Sequence, residues 1–256
     1  ARLIPFAAIR DDGGARYAPA FWTSPDEWLT AVQDEAQRFT LDRQEGQPVR
    51  LWLLAEAAGM APMLARVANP YGVPVLSSGG FDSLTAKHDL ARELAEADRA
   101  EVLHIGDRDP SGVHIFASLA EDVAAMVSAL GGDPPTFARL AVTEAQAVAM
   151  RLPTAPPKPT DNRRFHGQTV QAEAIPPDVL ARIVKEAIEA RQDAILRDWM
   201  LTREAEARAW LADRLEVAPM CGVAGLWAEP ADLGVAEQAV EGMVRAQRHR
   251  GPDGDG

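Results

Sequence analysis

Between residues 49 and 150, four short apolar runs alternate with longer stretches whose apolar positions fall at helical spacing, and no other feature restricts the fold as much. Residues 49–55, 73–76, 101–106 and 138–142 read as strands, and residues 57–69, 83–97, 113–130 and 143–150 read as helices. The run Val49-Arg50-Leu51-Trp52-Leu53-Leu54-Ala55 is almost continuously apolar, the mark of a strand covered on both faces. Strands alternating with helices mean parallel β-α-β units joined by right-handed crossovers. The predicted class is therefore α/β, a parallel sheet flanked by helices.

Around this core the punctuation changes. Ser24-Pro25-Asp26-Glu27 supplies an N-cap, a proline at the first helical position and two acids in the first turn, which predicts a helix over 25–41 inside an N-terminal helical segment, 1–48. Residues 152–162 hold four prolines and read as an extended surface connection. Residues 169–175 alternate with period two, the pattern of a half-exposed edge strand. Pro176-Pro177-Asp178 opens a C-terminal helical region, 178–247, with one helix over about 179–215 that is interrupted or bent and another from Glu229; residues 248–256 read as a disordered tail. The central domain is expected over 49–177.

Charge and cysteine content narrow the function classes. The chain carries 38 acids against 26 bases, a net charge of −12, which argues against indiscriminate coating of a phosphate polymer. It leaves open a site where carboxylates hold a divalent metal that itself meets phosphate. One cysteine, Cys221, cannot form an internal disulfide, so a cytoplasmic location is the default. There is no uninterrupted run of 18 or more apolar residues and no signal-peptide pattern, so no membrane partner is expected. The chain starts at Ala1 without an initiating Met, which suggests trimming or a fragment.

In an open parallel sheet, ligands sit beyond the carboxyl ends of the strands, and that is where the acids fall. Glu56 ends the first apolar strand; Asp107 and Asp109 end the third. Three carboxylates meeting at one edge repel one another unless a cation joins them, and hard oxygen ligands suit Mg²⁺ or Mn²⁺. A plainer reading stands beside this one: Asp-x-Asp-Pro-Ser-Gly before a helix is also an ordinary N-cap, and a Glu opening a helix complements its dipole. No phosphate-binding Walker loop, Ser-His-Asp order or zinc-type Cys/His cluster is present.

The ordered set Leu51-Trp52-Leu53-Leu54-Ala55-Glu56, Tyr71-Gly72-Val73-Pro74-Val75 leading into Gly79-Gly80-Phe81-Asp82-Ser83-Leu84-Thr85, and Leu103-His104-Ile105-Gly106-Asp107-Arg108-Asp109-Pro110-Ser111-Gly112 resembles the Toprim domain. The nearest variety is that of the topoisomerase VI A subunit, the meiotic double-strand-break proteins and related prophage and defence nucleases. The resemblance covers about residues 49–177 and implies a Rossmann-like sheet with a C-terminal helical extension. It also implies Mg²⁺-dependent cleavage of nucleic-acid phosphodiesters, with Glu56 as general acid/base and metal ligand, and Asp107 and Asp109 as metal ligands. DNA is the implied partner, with a homodimer or partner subunits as further expectations. Gln171-Ala172-Glu173-Ala174-Ile175 resembles the segment that closes the sheet in this branch; Glu173 is read first as an exposed edge carboxylate and second as a neighbour of the metal.

Two departures from the family pattern matter. Many relatives place a Lys directly after the first Glu, where this chain has Ala57; Lys87, Arg108 and Ser111 are the candidate phosphate contacts in its stead. Topoisomerases of this kind cut with a tyrosine on an upstream winged-helix domain, and only Tyr17 and Tyr71 exist here. Metal-activated water is then the expected nucleophile, an endonuclease activity. The alternatives are a non-cutting DNA-associated subunit, or the Toprim part of a strand-cleaving protein lacking its tyrosine domain. Among the histidines, His104 is expected in the core and His114 as a capping or packing residue. The Ser77–Ser83 loop is read equally as a phosphate cradle and as a tight turn.

Overall fold

A computed structural model of the chain describes residues 19, 21–77, 83–158, 163 and 165–215. Four strands, β1 (Arg50–Ala55), β2 (Val75–Ser77), β3 (Ala100–Ile105) and β4 (Thr136–Ala141), form one sheet in the order β2-β1-β3-β4, with every pair parallel. The expected α/β class, a parallel sheet with helices on both faces, is the observed one. The helices are α1 (Pro25–Gln37), α2 (Ala61–Ala68), α3 (Leu84–Ala95), α4 (Pro110–Ala129), α5 (Glu144–Ala149), α6 (Pro177–Glu189) and α7 (Ala194–Leu215).

The central strands are apolar because both of their faces are covered. Leu51, Leu53 and Ala55 of β1 pack with Leu103 and Ile105 of β3 against Leu64 of α2 and Leu180, Val184 and Ile188 of α6. On the other face Trp52, Leu54 and Val102 meet Leu90 and Leu94 of α3 and Leu119, Val123 and Val127 of α4. Helix α4 is long and apolar enough by length and composition to cross a bilayer, although no uninterrupted apolar run occurs in the sequence. Here Leu119, Val123 and Val127 are sheet-facing core residues, and Asp122 interrupts the apolar run with an ion pair to Lys87 of α3 at 2.6 Å.

Because β2 spans only three residues, it leaves the backbone of Leu51 without a strand partner on that side. The side chain of Gln44, itself buried, replaces it: its Oε1 accepts from the Leu51 amide at 2.7 Å and its Nε2 donates to the Leu51 carbonyl at 3.1 Å. An amide side chain pairs an acceptor with two donors, so it completes the ladder as a peptide group would and also donates to the Gly72 carbonyl at 3.0 Å.

One local expectation is corrected. Residues 169–175 do not form a strand: Thr169 and Val170 make isolated antiparallel bridges to Ala155 and Arg108, and Ala172–Ala174 turn into a 3₁₀ helix. The reason is a competing acceptor, since the Asp107 carboxylate takes the Ala172 amide at 2.8 Å and pulls the chain out of the extended form. The interruption expected within 179–215 is present and separates α6 from α7. The break falls at 190–193, where the Asp193 carboxylate accepts from the amides of Ile195 and Leu196 and starts α7 afresh.

The chain divides into two compact units, Thr40–Ala205, and Ala1–Phe39 with Glu206–Gly256. The first holds the sheet and all the candidate site residues. In the second, the described part is α1 with the end of α7, where Gln33 donates to the Leu215 carbonyl at 2.7 Å and Arg208 to the Phe39 carbonyl at 2.7 Å. The expected helix beyond Glu229 and the tail from 248 lie outside the described residues.

Candidate active site

The site is built where β1 and β3 end. These neighbours run in register through Ala55 and Ile105, so the residues that follow, Glu56 and Gly106-Asp107, emerge side by side. Glu56 turns toward the β3 loop, where its Oε2 accepts from the Asp107 amide at 2.8 Å. Asp109 is the N-cap of α4 and accepts from the Gly112 amide at 2.6 Å. Both readings of the Asp-x-Asp turn therefore meet in one residue, which caps the helix and also lies beside two other acids.

Glycine makes this approach feasible at two positions. A Cβ on Gly106 would stand 2.3 Å from Glu56 Oε2 and 2.5 Å from His104 Cε1. A Cβ on Gly112 would stand 2.6 Å from the Asp107 carbonyl, 3.0 Å from Glu56 Oε2 and 3.3 Å from Asp109 Oδ1. These distances bring the Glu56 and Asp109 carboxylates together beside the Asp107 backbone carbonyl, while the Asp107 carboxylate turns to the Ala172 amide.

Each carboxylate has one oxygen tied to a backbone amide, and the arrangement is electrostatically costly. Burial pushes the Glu56 carboxyl above its ordinary range, with Asp107 and Asp109 pushing the same way; the Asp107 amide and Arg139 offset part of this. Asp107 is likewise raised, first by burial and then by Glu173 and Asp109, against the Ala172 amide and Arg139. Among the described residues, no hydrogen bond reaches the second oxygen of Asp107 or of Asp109. Both aspartates line an open cavity of about 820 Å³, together with Pro110, Ser111, Glu173, Lys158 and Arg163.

Sequence reasoning missed three cations. Arg139 of β4 sits behind the acids and donates to the carbonyls of Gly106, Asp107 and Val142. It pairs in register with His104, and a β-bulge follows it: Ile105 faces Ala141, so Leu140 is the extra residue. Lys158 lies in the proline-rich connection and Arg163 directly after it, and both line the cavity. Nothing in the local sequence distinguishes Arg139 from a solvated strand arginine, whereas a basic pair flanking a proline-rich loop is a weak signal that was available.

Other expected contacts are placed elsewhere. Lys87 is held by Asp122 across α3 and α4, and so its charge is used within the helical layer. Arg108 donates to the carbonyls of Gln168 and His166 and pairs with Glu144 at 2.9 Å, while its guanidinium lies over the Phe165 ring. It fastens the 165–170 strap. Ser111 lines the cavity as expected for a substrate contact, and Glu173 is exposed there, beside Asp107. His104 is a core residue stacked on Phe116 at 4.2 Å, with burial and Arg139 pulling its pKa down to about 3. His114 is exposed.

Tyr71 donates its hydroxyl to Glu189 of α6 at 2.7 Å, and burial with that bond raises its pKa to about 12. Held protonated this way, it is unsuited to act as a nucleophile. Tyr17 and residues 78–82 of the small-residue loop lie outside the described residues.

As they stand, no three Asp, Glu, His or Cys side chains among the described residues enclose a metal position by themselves. A partial donor set still fits Mg²⁺ chemistry. That ion keeps several waters and is commonly held by one or two carboxylates together with substrate phosphate, and here two cavity-facing aspartates each have an oxygen to offer. Comparison with known proteins finds no match in any of three kinds: no protein family, no curated protein and no solved structure is similar enough to name a relative.

Proposed function

We propose that this chain is a Toprim-like nuclease that cleaves DNA phosphodiesters with Mg²⁺ or Mn²⁺. One observation carries the reading: Glu56, Asp107 and Asp109 follow the ends of two adjacent parallel strands, near enough for the aspartates' charges to act on Glu56, and both aspartates line an open cavity. Carboxylates with raised proton affinity beside a cavity, as Glu56 and Asp107 are, mark functional sites in many proteins. In this reading Asp107 and Asp109 hold the cation, which when bound neutralises phosphate charge and lowers the pKa of a water. Glu56, whose proton affinity burial raises, takes the proton from the attacking water or supplies one to the leaving oxygen. Lys158, Arg163 and Ser111 in the cavity wall contact the phosphate backbone. DNA is the partner and a cytoplasmic setting goes with it.

A second reading, a DNA-associated subunit that does not cut, is favoured by the internal ion pairs of Lys87 and Arg108, which leave fewer cations for the phosphate. Nicking of supercoiled plasmid separates the two. The nuclease reading expects Mg²⁺-dependent nicking by the wild type and its loss in Asp107→Ala plus Asp109→Ala, with an unchanged circular dichroism spectrum. Equal nicking by the double variant sinks the site, and no nicking by the wild type favours the non-cutting subunit.

A further inference from the structure

We propose that Arg108 is a positioning residue for DNA: it fastens the two segments that carry Lys158 and Arg163 on the cavity wall, and so sets how tightly phosphate is held without touching it. The inference rests on the DNA partner that both readings above share, and it concerns the grip on DNA and not the cut. It starts from the Arg108 backbone. The Arg108 amide donates to the Val170 carbonyl at 2.8 Å, and the Val170 amide donates to the Arg108 carbonyl at 3.0 Å. Thr169 in turn exchanges bonds with Ala155: its amide donates to the Ala155 carbonyl at 2.8 Å, and the Ala155 amide donates to the Thr169 carbonyl at 3.1 Å. The 107–109 loop, the 165–170 strap and the 153–158 segment are therefore stitched in series.

The side chain fastens the same strap a second time. Arg108 Nη1 donates to the Gln168 carbonyl at 2.7 Å and Nη2 to the His166 carbonyl at 3.1 Å, while the Phe165 ring lies 5.0 Å from the guanidinium. A planar fork holds separated acceptors at once, which a compact ammonium does not. Gly167 lets the strap close this tightly: its φ is +99°, and a Cβ there would stand 3.3 Å from both Nη atoms. Glu144 also pairs with Nη2 at 2.9 Å, but its side chain is 72% exposed, and a pair so open to water contributes little. The carbonyls hold the guanidinium.

Arg108 itself is out of reach of a phosphate, because its side chain is only 13% exposed and both Nη groups bond the strap. Lys158 and Arg163 are the opposite case: both are exposed, and both line the cavity with Asp107 and Asp109. Lys158 follows Ala155 by three residues and Arg163 precedes Phe165 by two, so each cation is tethered close to a point that Arg108 fixes. A long cationic side chain binds phosphate more tightly when its backbone is already held, since less ordering is left for binding to impose. Holding both cations from one residue gives that residue control over affinity.

Fluorescence anisotropy of a short labelled DNA duplex, titrated with the full chain in EDTA, tests this apart from metal and cleavage. Arg108→Ala is expected to weaken binding about tenfold, the cost of ordering two side chains that are no longer held. Lys158→Ala plus Arg163→Ala is expected to weaken it at least as much, with the slope of log affinity against log salt reduced by about 1 per cation removed. Adding Arg108→Ala to that pair is expected to cause little further loss, because Arg108 acts through them. Arg108→Lys, which keeps the charge but not the fork, is expected to bind like Arg108→Ala. Additive losses, or wild-type affinity in Arg108→Lys beside weak binding in Arg108→Ala, would overturn the inference by making Arg108 a direct phosphate contact. Wild-type affinity in a folded Arg108→Ala would overturn it too, and so would a wild type that binds no DNA in EDTA, since the grip would then depend on the metal. None of these results touches the nuclease reading, which plasmid nicking decides. Should Arg108→Ala fail to fold, Gly167→Ala disturbs the fastening while keeping the arginine; it is expected to show the same loss, and wild-type affinity there would overturn the inference.

Discussion

The Thr40–Ala205 unit buries carboxylates in two places and treats them in opposite ways. Glu204 of α7 is 1% exposed and is bonded through both oxygens: Arg43 Nε and Nη2 approach at 2.9 and 2.6 Å, and the Leu41 amide at 3.2 Å. Arg43 in turn donates to the Pro70 carbonyl at 2.9 Å. At the other place Glu56, Asp107 and Asp109 are only half-buried, each accepts from a backbone amide, and Arg139 behind them donates to carbonyls. The first cluster is satisfied internally and ties the 41–43 segment to α7. The second is left with negative charge facing a cavity, which is the condition for receiving something.

Removing an acid should therefore have opposite consequences at the two places. The largest effect is expected from Glu204→Ala, which strands Arg43 in a mostly buried position and should cost about 3–5 kcal/mol in denaturant-unfolding free energy. A cost under about 1 kcal/mol would mean that the pair is no more than a surface contact. By contrast, Asp107→Asn keeps an acceptor for the Ala172 amide while deleting a repelling charge. In the absence of metal it should leave stability unchanged or raise it by up to about 1 kcal/mol.

The pH dependence sharpens the contrast. His104 has its folded pKa near 3, below its ordinary 6.5, so between these values the unfolded chain binds more protons than the folded one. Stability falls as pH drops through that window, by at most about 1.4 kcal/mol per pH unit from this residue. Glu56 and Asp107 have raised pKa values and act in the opposite sense, since protonating them relieves the folded state and they weaken it as pH rises. Urea melts from pH 7 to pH 4 should show the His104 slope, flattened in His104→Phe. An unchanged slope in that variant would remove His104 as its source.

The smallest expected change is at Tyr71. Tyr71→Phe loses the bond to Glu189, worth about 0.5–1.5 kcal/mol, and should leave plasmid nicking at the wild-type rate. A loss of nicking would bring the phenolic hydroxyl back as a nucleophile.

What could be read in the sequence follows from range. The strands, their parallel order of use and the acids at their ends are properties of local pattern: Leu51–Ala55 is apolar because both faces are covered, and Glu56 is where that burial stops. The convergence of Glu56 with Asp109 was inferable because parallel neighbours deliver their carboxyl ends to one edge. Arg139 was not, because its role lies in distant acceptors, the carbonyls of Gly106 and Asp107, that no local pattern announces. The 169–175 segment shows the same limit from the other side. Its alternation is real, with Val170 and Ala172 buried and Gln171 and Glu173 exposed, but a distant carboxylate diverts its backbone. Lys87 and Arg108 carry the right charge in the right stretch, and only their partners Asp122 and Glu144 show that the charge is already used.

A crystal soaked in Mn²⁺ and measured at the manganese absorption edge tests the central claim most directly. The account predicts an anomalous peak within bonding distance of Asp107 and Asp109 carboxylate oxygens, with Glu56 on the same side. A fully soaked crystal with no peak there, or a peak only at surface acids elsewhere, would contradict it.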